Sequence, residues 1–325
     1  MESPAPHIPV LLRETVERLV PRGPVAPGTW YIDGTAGAGG HSEAILDAAG
    51  EGARLLALDR DGDAVELAKK RLERFGDRAV VVRAEFSGMA EVARRMGIGS
   101  VAGILLDLGV SSMQLDRPER GFGFMKDGPL DMRMDDRQGE TAATLLARLD
   151  EAELARIIRE YGEEPAARRL AKAIAEARSE GRLPTTTGEL AELVSRAKGG
   201  RRGRIHPATQ TFQALRIAVN GELAALDRAL PAALDLLAPG GRPAVISFHS
   251  LEDRRVKHFM AAHEGRMESL PMGGERWCGQ LPRGRRTDRR AVAAGEEEAA
   301  RNPRARSAKL RVIERTERNG EQEQA

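Results

Sequence analysis

The sequence has little cysteine and no long apolar run. Cys278 is its single cysteine, which excludes an intrachain disulfide and a cysteine-based zinc site and fits a reducing compartment. No apolar stretch approaches the ~20 residues of a membrane span, and residues 1–4 lack the basic start and apolar core of a signal peptide. We therefore expect a cytoplasmic protein without a membrane association.

Two nucleotide-binding signatures are also incomplete. The glycine-rich stretch at residues 31–41 is not followed by Lys-Ser or Lys-Thr, which disfavours a phosphate-binding P-loop. Its glycine spacing departs from the full dinucleotide fingerprint, and the carboxylate of Asp33 would repel a pyrophosphate. A nicotinamide-dependent dehydrogenase is therefore disfavoured.

The composition is that of a soluble globular protein. Hydrophobic residues make up 41% and charged residues 31% of the 325 residues, a length that suits two domains. The net charge of +2 is nearly neutral, so any affinity for nucleic acid must come from local clusters of basic residues.

The stretch at residues 31–41 reads as a strand, a tight glycine turn and the start of a helix. Such a turn brings backbone amides close to a small ligand, and Gly37, Gly39 and Gly40 provide it. Asp33 suits a ligand with an ammonium or sulfonium group, and S-adenosylmethionine carries both. The alternative is a generic glycine turn in which Asp33 is a cap.

Three further strands are predicted by the apolar runs at residues 55–58, 79–83 and 101–106, and an acid directly follows the first and the last of these runs. Asp59 is placed to accept from ribose hydroxyls, although it could instead cap the next helix. Phe86, after the third strand, could stack on an adenine or simply belong to the core. With Asp107 after the fourth strand, three carboxylates converge at one sheet edge.

The β-α alternation stops after the fourth strand. Residues 141–198 are helical in pattern, with a capping box at Thr186 and Glu189, and strands resume at 243–247 and 309–314. The turn at 239–241 precedes the fifth strand, and residues 265–308 read as irregular. The pattern predicts an α/β, Rossmann-like domain and an inserted all-helical domain. Their predicted bounds are 1–112 with 206–325, and 113–205.

Two basic stretches are candidates for binding a nucleic-acid backbone. The first follows the helical insertion, where no acid occurs between Glu192 and Glu222, and the second lies within residues 265–308. The candidate residues are Arg201, Arg202, Arg204, Arg285, Arg286, Arg304 and Arg306. The alternative for the first stretch is a solvated basic loop.

Together these motifs resemble one family across nearly the whole chain. The matching stretches are residues 7–11, 33–41, 107–112, 121–133, 206–219, 245–254 and 302–307. The chain resembles the RsmH (MraW) family of bacterial methyltransferases. The resemblance implies a class I S-adenosylmethionine-dependent enzyme that methylates the exocyclic N4 of a cytidine in the decoding region of 16S rRNA, in the small ribosomal subunit.

The resemblance also implies cofactor contacts. Gly39, Gly40 and His41 would lie at the methionine end, Asp59 at the ribose and Phe86 near the adenine, with Asp107 and Gln114 as further contacts. The glycine turn itself adds two further candidate cofactor-binding residues, Asp33 and Gly37. No metal is implied, and the oligomeric state stays open.

The chemistry suggests candidate catalytic residues. Methyl transfer to cytosine N4 needs oxygens that accept from the amino group, and Asp107, Ser111 or Ser112 could supply one. His249, after the fifth strand, could accept a proton or position the base, or it could be a structural histidine. Two other functions stay open: a class I methyltransferase for a protein or small molecule, and a non-catalytic RNA-binding ribosome assembly factor.

Overall fold

The computed structural model describes residues 9–21, 23–200, 206–270 and 274–316. The chain divides into two compact units. The larger unit combines Met1–Gly109 with Ala224–Ala325, and the smaller unit is Val110–Leu223. Within the described residues, each helix is too short or too polar to cross a lipid bilayer.

The strands of the described residues all belong to the larger unit. In chain order they are β1 (Thr29–Asp33), β2 (Ala53–Asp59), β3 (Ala79–Arg83), β4 (Val101–Asp107), β5 (Leu237–Ser247), β6 (Arg266–Ser269), β7 (Glu275–Cys278), β8 (Gly284–Arg286), β9 (Val292–Ala293) and β10 (Lys309–Arg315). β6 and β7 form a separate antiparallel hairpin, and the other strands form one sheet.

The main sheet has the order β3-β2-β1-β4-β5-β10-β8, and β9 also pairs with β10. Strands β1 to β5 are parallel, whereas β10 is antiparallel to β5 and to β8. The chain runs outward from β1 to β3 and returns to the other side of β1 with β4. Ligands of such sheets bind beyond the carboxyl ends of the strands at this reversal. The predicted α/β, Rossmann-like fold is confirmed.

The central strands form because their aliphatic residues are covered on both faces of the sheet. The fully buried residues include Leu55, Leu56 and Leu58 of β2 and Ile104, Leu105 and Leu106 of β4. Each of these apolar runs ends in an acid, and that change in polarity marks the carboxyl end of the strand.

The helices alternate with the strands in the larger unit and stand alone in the smaller unit. In chain order they are α1 (Leu12–Leu19), α2 (Gly40–Ala49), α3 (Gly62–Leu72), α4 (Met89–Arg95), α5 (Ser112–Asp116), α6 (Ala142–Arg148), α7 (Glu151–Gly162), α8 (Ala167–Ser179), α9 (Thr187–Ala197), α10 (Thr209–Asn220), α11 (Glu222–Leu236), α12 (Ser250–Glu264) and α13 (Glu296–Arg301). The capping box predicted at Thr186 and Glu189 begins α9.

The smaller unit has an apolar core of its own, built from α6 to α10. Leu154 and Ile158 of α7, Ile174 of α8 and Leu190 of α9 are fully buried in it. Phe212 of α10 belongs to the same core. The unit therefore continues through α10 to residue 223, whereas we expected the insertion to end at residue 205. Its first residue is 110 rather than the expected 113.

Two local regions are more regular than predicted. Residues 239–241, expected as a turn before the fifth strand, lie within β5 as an irregularity: Leu237 pairs with Val101 and Arg242 with Gly103, so the four residues between them are opposite Ala102 alone. Residues 265–308 contain β6 to β9 and α13 rather than irregular chain. Short strands of arginine and glutamate carry no apolar alternation, so the sequence pattern did not reveal them.

The contact between α7 and α10 gives a test of the smaller unit. A Cβ on Gly162 would lie 2.5 Å from the backbone oxygen of Gln210, so Gly162→Ala must push the two helices apart. We expect a net loss of about 1–2 kcal/mol in unfolding free energy, because this strain exceeds the gain in helix propensity of about 1 kcal/mol. Urea unfolding measures it.

Gly123→Ala is the matched control in the same unit. The nearest atom to its added Cβ is the Leu115 oxygen at 3.5 Å, an ordinary contact. We expect wild-type stability for this variant. Equal stability of the Gly162 and Gly123 variants would contradict the close helix contact.

Candidate active site

Three carboxylates lie at the carboxyl ends of neighbouring parallel strands. Asp33 of β1 is in register with Ala57 of β2 and with Leu105 of β4. Asp59 is two residues after Ala57, and Asp107 is two residues after Leu105. The two acids therefore lie on strands on either side of Asp33, each two residues further along its strand. The expected convergence of the three strand ends is thus present in the larger unit.

Asp33 is fully buried and is held by its own turn. Its Oδ2 accepts a hydrogen bond of 2.6 Å from the Ser42 hydroxyl, at the start of α2. Its Oδ1 accepts from the backbone N–H of Thr35 at 3.1 Å. Asp33 thereby ties the end of β1 to the first turn of α2.

Burial makes this carboxylate hard to ionise. Removal from water raises the pKa of Asp33 to about 6, although the hydrogen bonds from Ser42 and Thr35 oppose the rise. The nearby charge of Asp59 raises the pKa further. Above that pH the fold carries a buried negative charge at this position.

Thr35 connects Asp33 to the end of β4. The Asp107 backbone N–H donates to the Thr35 hydroxyl at 2.6 Å, and the same hydroxyl donates to Asp33 Oδ1 at 3.5 Å. The glycine turn therefore positions the end of β4 through the backbone of Asp107. The carboxyl group of Asp107 takes no part in this hydrogen bond.

The Asp107 carboxyl faces His41. Oδ2 of Asp107 lies 3.6 Å from Nδ1 of His41, whose Nε2 is 3.1 Å from the Val10 carbonyl oxygen. Because a carbonyl only accepts, Nε2 carries a hydrogen and Nδ1 is the atom that faces the acid. In the described part of the chain, Oδ1 of Asp107 is buried without a hydrogen-bond partner.

The surroundings of Asp107 raise its affinity for a proton. Burial raises its pKa well above the ordinary value, and the charges of Asp33 and Glu252 raise it further. A carboxyl with a high pKa beside an imidazole nitrogen can hold a proton and exchange it. This pair is therefore equipped to take up a proton at the strand end.

Asp59 supports the glycine turn from the other side. Its Oδ2 accepts from the Gly37 N–H at 2.8 Å, and its Oδ1 accepts from the Asp61 N–H at 2.9 Å. Burial raises its pKa. The side chain that caps α3 is that of Asp61, which accepts from Asp63 N–H, so the capping role considered for Asp59 belongs to its neighbour.

The glycines of the turn have different reasons to lack a side chain. Gly37 has a φ of +53°, and the nearest atom to a Cβ there is 3.9 Å away, so open space lies above it. A Cβ on Gly40 would lie 2.4 Å from Cγ of Pro9. Gly37 leaves room for a ligand, whereas Gly40 makes room for the chain itself.

Phe86 is mostly inside the core. Its side chain is 9% exposed and packs with Ile32, Leu56 and Leu106. It lies beside the turn, because a Cβ on Gly34 would be 3.0 Å from Phe86 Cβ. Stacking on an adenine stays a prediction, and the alternative core position is the one its contacts support.

His249 and Glu252 form a buried pair after β5. Nε2 of His249 lies 3.2 Å from Oε1 of Glu252, and both side chains are almost fully buried. Oε2 of Glu252 accepts from the backbone N–H groups of Phe248 at 2.8 Å and His249 at 3.3 Å, which caps α12. The acid thus caps the helix and lies against the His249 ring, neither of whose nitrogens has a hydrogen-bond partner within the described chain.

Ser111, Ser112 and Gln114 belong to the smaller unit. Ser111 Oγ accepts from Gln114 N–H at 3.2 Å, and Gln114 Oε1 accepts from Ser111 N–H at 3.0 Å. This reciprocal capping box begins α5, with Ser112 as its first residue. The Ser111 hydroxyl and the Gln114 amide oxygen are each engaged in a local structural bond.

The candidate RNA-binding arginines lie partly outside the described residues, and those that are described make contacts within the fold. Arg201, Arg202 and Arg204 lie outside the described residues. Arg285 binds Glu314 at 2.8 Å, and Arg286 binds Glu264 at 2.6 Å.

Further basic residues are also engaged within the fold. Arg306 donates to the Ala299 carbonyl at 3.1 Å, and the backbone N–H of Arg304 donates to the Asn302 side chain. In the smaller unit, Lys198 and Arg216, from the acid-free stretch, pair with Glu164 and Glu222.

The fold and the site together define a class of enzyme. A parallel sheet with this strand order, a glycine turn after β1 and acids after β1, β2 and β4 is the arrangement of a class I methyltransferase. The site places its acids at the strand-order reversal, where such sheets bind their ligands.

Comparison with known proteins identifies the family. The profile of the MraW methylase family matches residues 4–316. The chain is 51% identical over 320 residues to the ribosomal RNA small subunit methyltransferase H of Maricaulis maris (strain MCS10), covering 97% of this chain and 92% of that protein. The enzyme of the same name from Geobacter sp. (strain M21) is 49% identical, covering 95% and 98%. The chain belongs to the MraW methylase family, and the resemblance seen in the sequence is confirmed.

The methyl donor of this enzyme is S-adenosylmethionine, and the site fits it. Open space lies above Gly37, a buried oxygen of Asp107 lacks a partner within the described chain, and three carboxylates surround the turn. A cationic sulfonium, an ammonium and ribose hydroxyls complement such a set of acceptors.

Three residues of the site were missed by sequence reasoning. Thr35 and Ser42 hold Asp33, and Glu252 lies beside His249. A glutamate three residues after the N-cap residue of a helix, as Glu252 is after His249, is a recognisable capping signal. The roles of Thr35 and Ser42 have no such signal, because they depend on how the turn folds back.

Burial of Asp33 predicts a pH-dependent stability. A folded pKa of about 6 stands above the ordinary 3.8, so its contribution is present below about pH 4 and lost as pH rises through 6. In Asp33→Asn this loss is absent. Relative to wild type, the variant should therefore gain about 3 kcal/mol of unfolding free energy between pH 4 and 7.

Urea unfolding of the cofactor-free protein across this pH range measures the difference. Asp63→Asn, on the exposed surface of α3, is the control and should keep the wild-type trend. A constant difference between Asp33→Asn and wild type at all pH values would show that Asp33 titrates normally.

Proposed function

We propose that this enzyme methylates the exocyclic N4 of a cytidine in the decoding region of 16S rRNA, within the small ribosomal subunit. The names of its relatives, which specify small-subunit ribosomal RNA, support this substrate. The observation that carries the chemistry is the buried, unpartnered Oδ1 of Asp107 within the described chain. Such a substrate would place the enzyme in the cytoplasm.

The substrate nitrogen presents a specific difficulty. Its lone pair is delocalised into the cytosine ring, so it is a weak nucleophile. S-adenosylmethionine supplies an electrophilic methyl group on a sulfonium. The protein must hold the amino group by its hydrogens, align it for attack and remove one proton.

Asp107 is our candidate for holding the amino group. A free carboxylate oxygen can accept a hydrogen bond from N4 and so localise electron density on that nitrogen. Oδ1 has this capacity because the backbone N–H of Asp107, and not its carboxyl, is bonded to Thr35. The pKa of Asp107, raised by burial, makes the carboxylate a better base for the proton that N4 loses.

His41 is our candidate for supporting that proton transfer. Its Nδ1 faces Oδ2 of Asp107 at 3.6 Å, and its ring is fixed by the Val10 carbonyl. A proton taken up by Asp107 can be stabilised by this nitrogen. His41 thus combines this role with the cofactor contact that we propose at the methionine end.

The remaining candidates have narrower roles. Ser112 is a possible second acceptor for the amino group, while Ser111 is engaged in capping α5. His249 would orient the base, with Glu252 beside its ring. For the cofactor we propose the turn residues Asp33, Gly37, Gly39 and Gly40, together with Asp59, Phe86 and Gln114.

The RNA must expose the target base to such a site. Enzymes that modify a nucleobase take it out of its stack, and basic side chains hold the backbone. We propose that Arg201, Arg202, Arg204, Arg285, Arg286, Arg304 and Arg306 contribute to this contact. Their affinity for RNA should fall steeply as salt is added.

The role of Asp107 is tested by Asp107→Asn. An amide cannot act as a base, so we expect kcat to fall by about 10²- to 10⁴-fold. The affinity for S-adenosylmethionine, measured by calorimetry, should fall much less than kcat, because the asparagine side chain keeps an oxygen that can accept a hydrogen bond from the cofactor. Asp59→Asn is the contrasting variant, in which cofactor affinity should fall more than kcat. Full turnover by Asp107→Asn would remove Asp107 from the proposed mechanism.

The substrate is tested by labelled methyl transfer to small subunits and to naked 16S rRNA. We expect transfer to the RNA, with nucleoside mass spectrometry placing the methyl on cytidine N4. Transfer only to a protein or a small molecule would favour the alternative methyltransferase function. Cofactor binding without transfer to any of them would favour an assembly factor.

A further inference from the structure

A basic cleft lies between α12 and β10 in the larger unit. It is lined by Lys257 and Met260 of α12, Arg311 of β10, Arg286 of β8, and Asp288 and Arg290 in the turn after β8. The cleft is shallow and opens to solvent. We call these residues the α12–β10 cleft.

The acids around the cleft are already neutralised by ion pairs. Asp288 receives two hydrogen bonds from Arg18, at 2.8 and 2.9 Å, and they lower its pKa. Asp253 is bound by Arg311 at 2.7 Å and by Lys309 at 3.1 Å.

The last of these acids is Glu264, which is bound by Arg286 at 2.6 Å. The three carboxylates thus serve to fix cationic side chains along the cleft wall.

Two cations of the cleft remain without an acidic partner. Among the residues that the structure describes, Lys257 and Arg290 make no ion pair, and both are exposed. The local group contains six basic side chains and three carboxylates, which leaves a net charge of three positive. A nearly neutral protein therefore has a concentrated positive field at this place.

The lining favours a phosphate over a base or a peptide. Its apolar members are Met260 and Val312, and it has no aromatic ring on which a base could stack. The lysine and arginine donors that make up most of the lining match phosphate oxygens. Contacts of this type position a nucleic acid without reading its sequence.

The sheet register connects the cleft to the proposed catalytic acid. Asp107 of β4 is in register with Ile246 of β5, which is in register with Leu310 of β10. Adjacent strands are about 4.8 Å apart, so the backbone before Arg311 lies roughly 10 Å from that of Asp107. A nucleotide held at Asp107 would have its neighbouring phosphates within reach of this cleft.

We propose that the α12–β10 cleft binds a backbone phosphate of the methyl-accepting RNA, with Lys257 and Arg290 as its free cations. The inference rests on the proposed function and adds a specific anchoring point to it. Arg286 and Arg311 form a fixed wall because carboxylates hold them, whereas Lys257 and Arg290 close on the phosphate. These two residues position the RNA and take no part in methyl transfer.

The test is the double variant Lys257→Gln/Arg290→Gln in the full-length enzyme. RNA affinity is measured by fluorescence anisotropy with a 16S rRNA fragment that contains the decoding region, over a series of salt concentrations. We expect the slope of log Kd against log salt to fall by about 1 to 2. Binding should weaken roughly tenfold at about 0.1 M salt, for matched and unrelated RNA sequences alike.

The matched control is Lys70→Gln on α3, which is compared with the single variant Lys257→Gln. Both are exposed lysines that make no ion pair within the described chain, and α3 contacts β2 and β3 rather than β10. It removes the same charge from the surface, so we expect a much smaller change in slope. In the cleft variant, KM for RNA should rise while kcat, cofactor affinity and thermal stability stay at wild-type values. These readouts separate a loss of anchoring from a loss of structure.

Three results would overturn the inference. In the cleft variant, the first is a slope of log Kd against log salt equal to that of the control. The second is a fall in kcat without a change in KM for RNA, and the third is a loss of affinity confined to one RNA sequence. Failure of the proposed function looks different, because wild-type enzyme would then transfer no methyl group to the RNA. Wild-type methylation with an unchanged cleft variant would refute the phosphate site alone.

Discussion

The burial of the Asp33 carboxyl group is the constraint on which the site depends. A buried carboxylate is costly unless donors satisfy it, and the chain supplies them from Thr35 and Ser42. The same hydroxyl of Thr35 accepts from the backbone of Asp107. One local network therefore fixes the glycine turn, the start of α2 and the end of β4. It also keeps the Asp107 carboxyl out of structural bonding, so that the group is available for chemistry.

Much of this fold could be predicted from the sequence because its signals are local. Apolar runs ending in Asp59 or Asp107 marked the strands, and Thr186 with Glu189 marked a helix start. The pairing of Arg285 with Glu314 and of Arg286 with Glu264 could not be foreseen, since the partners are 29 and 22 residues apart in sequence. The short strands β8 and β9 owe their place to pairing with β10, which no local pattern encodes.

The same distinction separates the predictable and unpredictable parts of the site. Residue type and position at a strand end identified Asp33, Asp59, Asp107 and His249 as candidates. Their partners decide what each can do. Asp33 and Asp59 accept from the turn's own donors, whereas Asp107 retains an unpartnered oxygen within the described chain. The three acids lie at equivalent strand ends, but Asp107 is the one whose carboxyl group keeps an oxygen available to accept a hydrogen bond from a ligand.

Ion pairing applies the same principle to the basic residues. Arginine density in the sequence suggested a broad RNA-binding segment, but an arginine held by a carboxylate adds little net charge. What attracts a polyanion is the excess of cations over nearby acids, and that excess depends on long-range pairing. It is concentrated where α12 faces β10, with Lys257 contributed by a helix outside the arginine-rich segment. The paired arginines supply rigidity and the unpaired cations supply charge, and a phosphate site needs both.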